Sequence, residues 1–351
     1  MNKKLVALAA TCMASLPCVA NAADVQLYGL IDTTIRFSTN ENAAGDNKVQ
    51  MTDGALTGSR WGLRGTEDLG GNLKAWYILE SGFAPDTGTS LQGGRLFGRM
   101  SVLGLDGDFG KVAFGRQFTL AHEMIGSYDA MGIPNNGIVG YQAAYTGVRY
   151  DNTVKYIKSF GGLQLAAAYT FGEVPGSFST NNAAGGSVAY SSGPFEVGAV
   201  YQVSHNVSSA YFGLPSSQAS KQTVWAAGGK YKVGRGQYFL GYTNNRLDVA
   251  DYRNDSAYVG AKYELAPSLV LIGQFYYDWL KHAGTGGKRL TTAAMLDYNF
   301  SKRTDAYIEV DYTNLKGGWI ALNSMPTFTN SGNTFGNSTR LGVMLGLRHK
   351  F

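Results

Sequence analysis

Cysteine is nearly absent from this chain: of 351 residues only Cys12 and Cys18 are cysteines, and both lie within Met1 to Ala22. That segment has Lys3 and Lys4, an apolar run from Leu5, a break at Pro17 and a small-residue pattern at Ala20-Asn21-Ala22. It reads as a secretory signal peptide over 1-22, its apolar part being too short for a membrane span. Cys12 follows Thr11 and Cys18 follows Pro17, so neither sits in a lipoprotein cleavage box. The mature chain, expected as one domain over 23-351, then has no thiol for a disulfide or a thiolate metal site. Histidine is scarce too. His122, His205, His282 and His349 show no metal-ligand spacing, and no phosphate-binding glycine loop follows a strand, so neither metal nor cofactor is expected. Charge of neither sign dominates: without Lys3 and Lys4 there are 28 basic against 25 acidic residues, too balanced for a nucleic-acid partner. No mature stretch reaches 18 consecutive apolar residues, which excludes transmembrane helices.

What is present is alternation. The last stretch, Ser338 to Phe351, places Leu341, Val343, Leu345, Leu347, His349 and Phe351 on one face and Arg340, Gly342, Met344, Gly346, Arg348 and Lys350 on the other. A period of two over that length sets one pleat face against an apolar phase and the other against water. A cationic, glycine-rich face does not suit a protein core. The same pattern recurs from Asp24 to Phe37, Leu73 to Glu80, Leu163 to Tyr169, Phe195 to Tyr201, Ala257 to Leu265, Arg289 to Phe300 and Asp305 to Tyr312. Long edge strands must be paired, and closing a barrel pairs them all. The 22 tyrosines suit amphipathic girdles at two membrane interfaces. The expectation is an all-β fold, a closed antiparallel transmembrane β-barrel with a hydrated lumen.

Connections alternate in length. Short turns are expected at Gly70-Gly71, Gly107 to Gly110, Gly161-Gly162, Ser191 to Pro194, Gly234 to Gly236, Ala266-Pro267 and Ser301 to Arg303. Longer polar loops run from Asn40 to Gly54, Ala84 to Gly93, Thr119 to Arg149, Glu173 to Ala184, His205 to Lys221 and Gly317 to Asn337. Seven short turns imply eight hairpin-like pairs, and a mature length divided by about 20 residues per strand and connection also gives ~16 strands.

The runs Ser59-Arg60-Trp61-Gly62-Leu63-Arg64-Gly65-Thr66-Glu67-Asp68-Leu69-Gly70, Arg95-Leu96-Phe97-Gly98-Arg99 and Gly115-Arg116-Gln117 resemble general diffusion porins of Gram-negative bacteria, of β-proteobacterial type. So do the opening Leu27-Tyr28-Gly29 and the closing Arg348-His349-Lys350-Phe351. The resemblance implies a homotrimer of 16-stranded barrels in the outer membrane, packed through the first five strands and the last. It implies contact with membrane lipid and lipopolysaccharide, insertion by the outer-membrane assembly machinery, and Phe351 as a component of the assembly signal. It also implies a third long loop folded into the lumen, opposite a basic ladder.

Thr119 to Arg149 is that third loop by order. It carries only two acids, Glu123 and Asp129, and enough apolar residues (Ile125, Met131, Ile133, Ile138 and Val139) to pack on something. It either lies against the inner wall or is an ordinary surface loop, and its composition favours the wall. Alternation points Arg36 with Asp32, then Arg60 and Arg64, Lys74 with Glu80, and Arg95 and Arg99 inward on four successive strands. These cations either hydrate the lumen or, with Glu123 and Asp129, form a constriction whose transverse field orders dipolar solutes. Arg116 is ambiguous in parity. Cations outnumber acids in that set, so the expected function is passive diffusion of small hydrophilic solutes and ions with a weak to moderate anion preference. The alternatives are a substrate-selective channel of the same fold, for which inward Tyr28, Trp76, Tyr258 and Tyr276 look too scattered, and an outer-membrane hydrolase. For the hydrolase, His205 beside Ser204 is the faint candidate.

Overall fold

A computed structural model describes residues 25–54, 56–133, 146–208, 219–248, 251–324 and 333–351. The expected signal peptide and a section of the third loop, including Ile138 and Val139, lie outside the described residues. The strands are β1 (Gln26–Ser38), β2 (Lys48–Asp53), β3 (Arg60–Gly70), β4 (Leu73–Gly82), β5 (Met100–Gly107), β6 (Gly110–Phe118), β7 (Arg149–Phe160), β8 (Leu163–Thr170) and β9 (Ala183–Ser192). They continue with β10 (Phe195–Ser208), β11 (Ala219–Val233), β12 (Gly236–Leu247), β13 (Tyr252–Ala266), β14 (Leu269–His282), β15 (Thr285–Asn299), β16 (Thr304–Gly317) and β17 (Thr339–Lys350). Among the described residues two helices, α1 (Leu120–Ser127) and α2 (Gly318–Asn323), lie in connections.

Neighbouring strands pair antiparallel in sequence order, and β17 pairs with β1 to close the ring. Sixteen strands make the wall. The extra one, β2, lies in the first long loop and shares an edge of β1 with β3: β3 takes Gln26 to Leu30, and β2 takes Thr33 to Ser38. No described helix is long and apolar enough to cross a membrane, and the strands do so instead.

The alternation read from sequence holds strand by strand. Ile31, Ile35, Val259, Ile308, Val310, Leu345 and Leu347 face outward and exposed, whereas Asp32, Arg36, Tyr258, Glu309, Asp311 and Met344 point inward. Aromatic girdles mark both rims of the outer face, Trp225, Tyr242, Tyr277 and Trp279 at one end and Tyr190, Tyr231, Tyr263, Tyr298 and Phe300 at the other. All seven short turns fall between strands where expected. Two connections at the opposite rim are also short in sequence, between Leu247 and Tyr252 and between His282 and Thr285, and no polar run announced them. The stretch from Gly317 to Asn337 is not simply a loop, because α2 folds back and buries Trp319 and Leu322 beside Leu247, Tyr252, Leu280 and Leu315.

The hydrated lumen expected from sequence holds for only a portion of the inner face. Around β10 to β17 that face is dry: Val200, Val224, Ala226, Phe239, Ile272, Met295 and Met344 form one buried cluster with Leu120, Met124, Ile125, Tyr128 and Met131 of the third loop. Inward Tyr258 and Tyr276 are neighbours there, with ring centroids 5.9 Å apart, so they are less scattered than alternation suggests.

Candidate pore constriction

Helix α1 begins at Thr119, whose hydroxyl accepts the His122 backbone N–H as an N-cap while itself donating to the Thr146 carbonyl, 2.8 Å away. The helix thus starts against the end of its own loop and sends its apolar side into the barrel. Further on, the Ala130 N–H donates to Gln274 on β14, and the Tyr276 hydroxyl donates to Asp129 at 2.7 Å. The third loop therefore lies inside the lumen on the wall running from β8 to β14.

Facing it, on β3 to β7, is a cluster of guanidinium groups. Arg60 on β3 bonds the Gly58 carbonyl; Arg99, just before β5, gives its Nε to Glu80 at 2.7 Å; and Arg149 opens β7 over the Phe118 ring at 4.1 Å. Arg149 lies within electrostatic reach of Arg99, Arg116 and Arg60, and Glu80 is the acid among them. Glu80 also accepts the Tyr28 hydroxyl at 3.0 Å. Nearer the long-loop rim, Arg95 and Arg116 share one carboxylate, Asp151, each at 2.8 Å. Arg95, Arg116 and Arg149 line one side of a pocket of about 830 Å³, whose other side is polar: Thr170, Asn182, Ser204, His205 and Gln222.

The structure divides the residues expected at the constriction. Arg60 and Arg99 are brought together. Arg95 joins them from a loop rather than from a strand, since β5 begins only at Met100. Arg64 faces inward but sits four residues nearer the short turns, bonded to Gln26 and lying 4.9 Å over the Tyr28 ring. Lys74 is exposed at the start of β4 opposite Asp68 and Asp106, at the short-turn rim and away from the cluster. Arg36 faces inward but is only 1% exposed, clamped by Asp311 through two bonds of 2.7 and 3.0 Å and by Ser38 at 2.7 Å. It cannot present its charge to a solute.

The two loop acids do not oppose the cluster as free charges either. Glu123 is bound by Lys155 of β7 at 2.8 Å. Asp129 is buried beneath the loop; burial pushes its pKa up, against the pull of the Tyr276 bond. Burial, then Arg149, Arg99 and Lys155, push His122 down to about 3, so its ring is neutral.

Sequence reading missed Arg149, Asp151 and Lys155, and left Arg116 undecided. Arg149 looked like the end of a loop when it is the first residue of a strand. Arg116 follows Gly115, where the β6–β7 register shifts, and a shifted register spoils any argument from parity. As for His205 and Ser204, the His205 ring bonds Asn182 at 2.6 Å and the Ser204 hydroxyl bonds Tyr150 at 2.8 Å; among the described residues no carboxylate orients the imidazole.

A family model described as Gram-negative porin matches residues 7–318. The chain belongs to that family. Outer membrane porin protein 32 of Delftia acidovorans is 30% identical over the full length of both chains, and an outer membrane porin protein of Bordetella pertussis is 42% identical over 49% of this chain and 48% of its own. Among solved structures, an anion-selective porin from Comamonas acidovorans superposes with a TM-score of 0.78 and 26% identity, covering 94% of this chain and all of that one. The porin is accordingly a 16-stranded barrel of the outer membrane, a water-filled passage for small hydrophilic solutes. Its short turns face the periplasm and its long loops the outside.

Proposed function

We propose that the constriction of this porin is formed by Arg60, Arg99 and Arg149 against α1, and that it gives a weak to moderate anion preference. One observation carries this reading: three guanidinium groups share Glu80, while the acids of the loop are already engaged, Glu123 by Lys155 and Asp129 beneath Tyr276. The field in the throat is therefore positive locally, although the chain is nearly neutral as a whole. The anion selectivity named for the Comamonas relative agrees with it. In this reading the chain catalyses nothing, and Arg95 and Arg116 act above the throat as an entry patch. Replacing both Arg60 and Arg99 by Glu should move the zero-current potential toward cation preference, with a salt dependence set by a screening length of about 10 Å at 0.1 M. A folded double variant with the wild-type reversal potential would remove these arginines from the throat.

The porin is further proposed to be a homotrimer that packs through the outer faces of β17, β1 and β3 to β5, where Glu67 is the one charged outward residue in those strands. Phe351 is proposed as its assembly signal. The Phe351 backbone exchanges two hydrogen bonds with Gly29, at 3.0 and 3.1 Å, and its ring covers Gly29, where a Cβ would collide with it. Phe351→Ala keeps the backbone pair and loses the ring, so a several-fold drop in heat-modifiable folded protein is expected. Unheated extract in mild detergent should run as a trimer. An undiminished yield, or a monomer band, would refute the respective proposal.

A further inference from the structure

The pocket at the long-loop end of the lumen has a second side that ion selectivity does not use. Arg95, Arg116 and Arg149 stand on one side; the other, carried by β8 to β11 and the chain before β9, offers amides, hydroxyls and one imidazole. No carboxylate is among the described residues that line it. Asp151 takes Arg95 and Arg116 together, so one positive charge of that pair is left over. Arg149 lies over the Phe118 ring and, among the described residues, forms no ion pair.

Both sides are built by departures from regular backbone. Four register shifts interrupt the ladders of the described strands. Two adjoin short turns, at Asp68 to Gly70 and Glu264 to Ala266; the other two, at Gly115 to Gln117 and Ser204 to Val207, border this pocket. Bulges re-aim side chains beside functional sites. The first of these two carries Arg116, and the second has Asn206 at φ 55° and sets the His205 ring on Asn182. On the cationic side Val148 has φ 49°, a left-handed backbone that a β-branched residue rarely adopts. It is pinned there: its N–H donates to the Thr146 hydroxyl at 3.1 Å, and its carbonyl accepts the Thr119 N–H at 3.0 Å. The Arg149 N–H then turns straight back to the Gly147 carbonyl at 2.6 Å. Backbone strain persists where surrounding contacts hold it, and it gathers at ligand sites. Here it sets the direction in which Arg149 leaves the loop.

The two sides suit different halves of one ligand. Forked guanidinium groups recognise a carboxylate. Opposite them, Asn206 donates its amide to the Asn181 oxygen at 3.3 Å, which leaves the Asn206 oxygen and the Asn181 amide N–H groups to a ligand; the His205 ring, with Nδ1 on Asn182, keeps Nε2. Mixed donors and acceptors match hydroxyl groups. From β7 to β10 is three strand spacings, about 14 Å along the wall, so a short acid held at Arg149 stops before the amides. A nucleotide would call for a ring platform and cations on both sides, and here all three cations are on one.

We propose that this recess binds a carboxylated sugar of one or two rings, its acid group on the arginine side and its hydroxyls on Asn181, His205 and Asn206. The volume of about 830 Å³ falls within the range of small-molecule sites. The site extends the reading of Arg95 and Arg116 as an entry patch and rests on that part of it, not on the charge at the throat.

The test is block of ion current through the full-length porin in a planar bilayer, with digalacturonate, succinate or maltose added on the long-loop side. Digalacturonate should half-block at a concentration at least about tenfold below succinate, because it alone reaches both sides, and maltose should not block. His205→Ala with Asn206→Gly, the glycine keeping the left-handed backbone, should raise the digalacturonate value about tenfold and leave succinate where it was. Arg149→Gln should weaken both acids alike. If the double variant forms no channels, Asn206→Asp is read instead: its added negative charge should weaken digalacturonate. Block by maltose as strong as by digalacturonate, equal block by the two acids, no block by digalacturonate, or a far-side variant that keeps the wild-type value overturns the proposal. A reversal potential unmoved by Arg60→Glu with Arg99→Glu would bear on the throat alone.

Discussion

Arg36 and Arg99 both point into the barrel, yet they belong to different environments. Arg36, on β1, reaches into the dry arc, where Asp311 takes its donors along with Ser38 of its own strand and Glu309 lies 3.9 Å away, so the charge is structural. Arg99 lies in the arc facing the third loop, where it shares Glu80 with Arg60 and Arg149, so positive charge is left over. The same contrast separates Arg289, bonded to Asp278 at 2.6 Å and 1% exposed, from Arg60, whose side chain hydrogen-bonds a carbonyl and, among the described residues, forms no salt bridge. An inward arginine is thus no measure of lumen charge until its acid has been found. One half of the inner wall uses cations to hold strands together; the other leaves them the charge that the proposed constriction needs.

The largest effect should come from breaking a pair in the dry arc. Asp311→Ala leaves the Arg36 guanidinium buried without its main partner, which costs about 3–5 kcal/mol. Arg60→Ala should cost no more than about 1 kcal/mol. Denaturant-induced unfolding of both variants, refolded in the same detergent, checks this, and equal losses would erase the distinction between the arcs. Next in size, Glu80→Gln removes the acid among the arginines and should raise the anion preference; a reversal potential shifted toward cations would mean that Glu80 does not face the throat.

The smallest effect concerns pH. His122 titrates near 3, below its usual 6.5, because it is buried beside Arg149, Arg99 and Lys155. It therefore gains no charge between pH 8 and 5, and selectivity should stay flat over that window. Stability behaves otherwise. The unfolded chain takes up a proton at this histidine below about pH 6.5 while the folded chain does not, so the histidine's contribution is intact above 6.5 and drains away as pH falls toward 3. His122→Gln should blunt that acid sensitivity, as followed by unfolding curves at pH 7 and pH 4.

Most of the barrel was legible because a period of two is a local signal: Ile308 and Glu309 declare opposite faces without any knowledge of their neighbours. The seven tight periplasmic turns were legible for the same reason, since each carries its own glycine, proline or polar cluster. Partners are not local. Arg36 and Asp311 are 275 residues apart, and nothing in either strand says that the other will neutralise it. Arg95 was misplaced because the chain before β5 alternates for a few residues without pairing. Helix α2 was hidden in a stretch rich in turn-forming residues, and it forms because Trp319 and Leu322 find an apolar recess above β14 to β16. The loop acids could be named from sequence, but their burial or pairing depends on a docking geometry that only the folded wall supplies.

The two inward glycines of the closing strand carry one more consequence. Beside Gly342 the Arg36 side chain crosses over β17 to meet Asp311 on β16, and beside Gly346 the Tyr307 hydroxyl of β16 crosses the other way to Asp32 on β1, at 2.6 Å. A side chain at either glycine would fill the space these crossings use. The first strand is therefore fastened to the next-to-last as well as to the last, like a hem stitched through two layers. A seam of this kind cannot open strand by strand: letting a molecule slip sideways into the bilayer between β1 and β17 would mean unpicking two buried polar contacts together with the backbone ladder. Traffic through this porin is thereby confined to the axis of the barrel, and the order of assembly is constrained as well, since β1 finds its full set of partners only once β16 is in place.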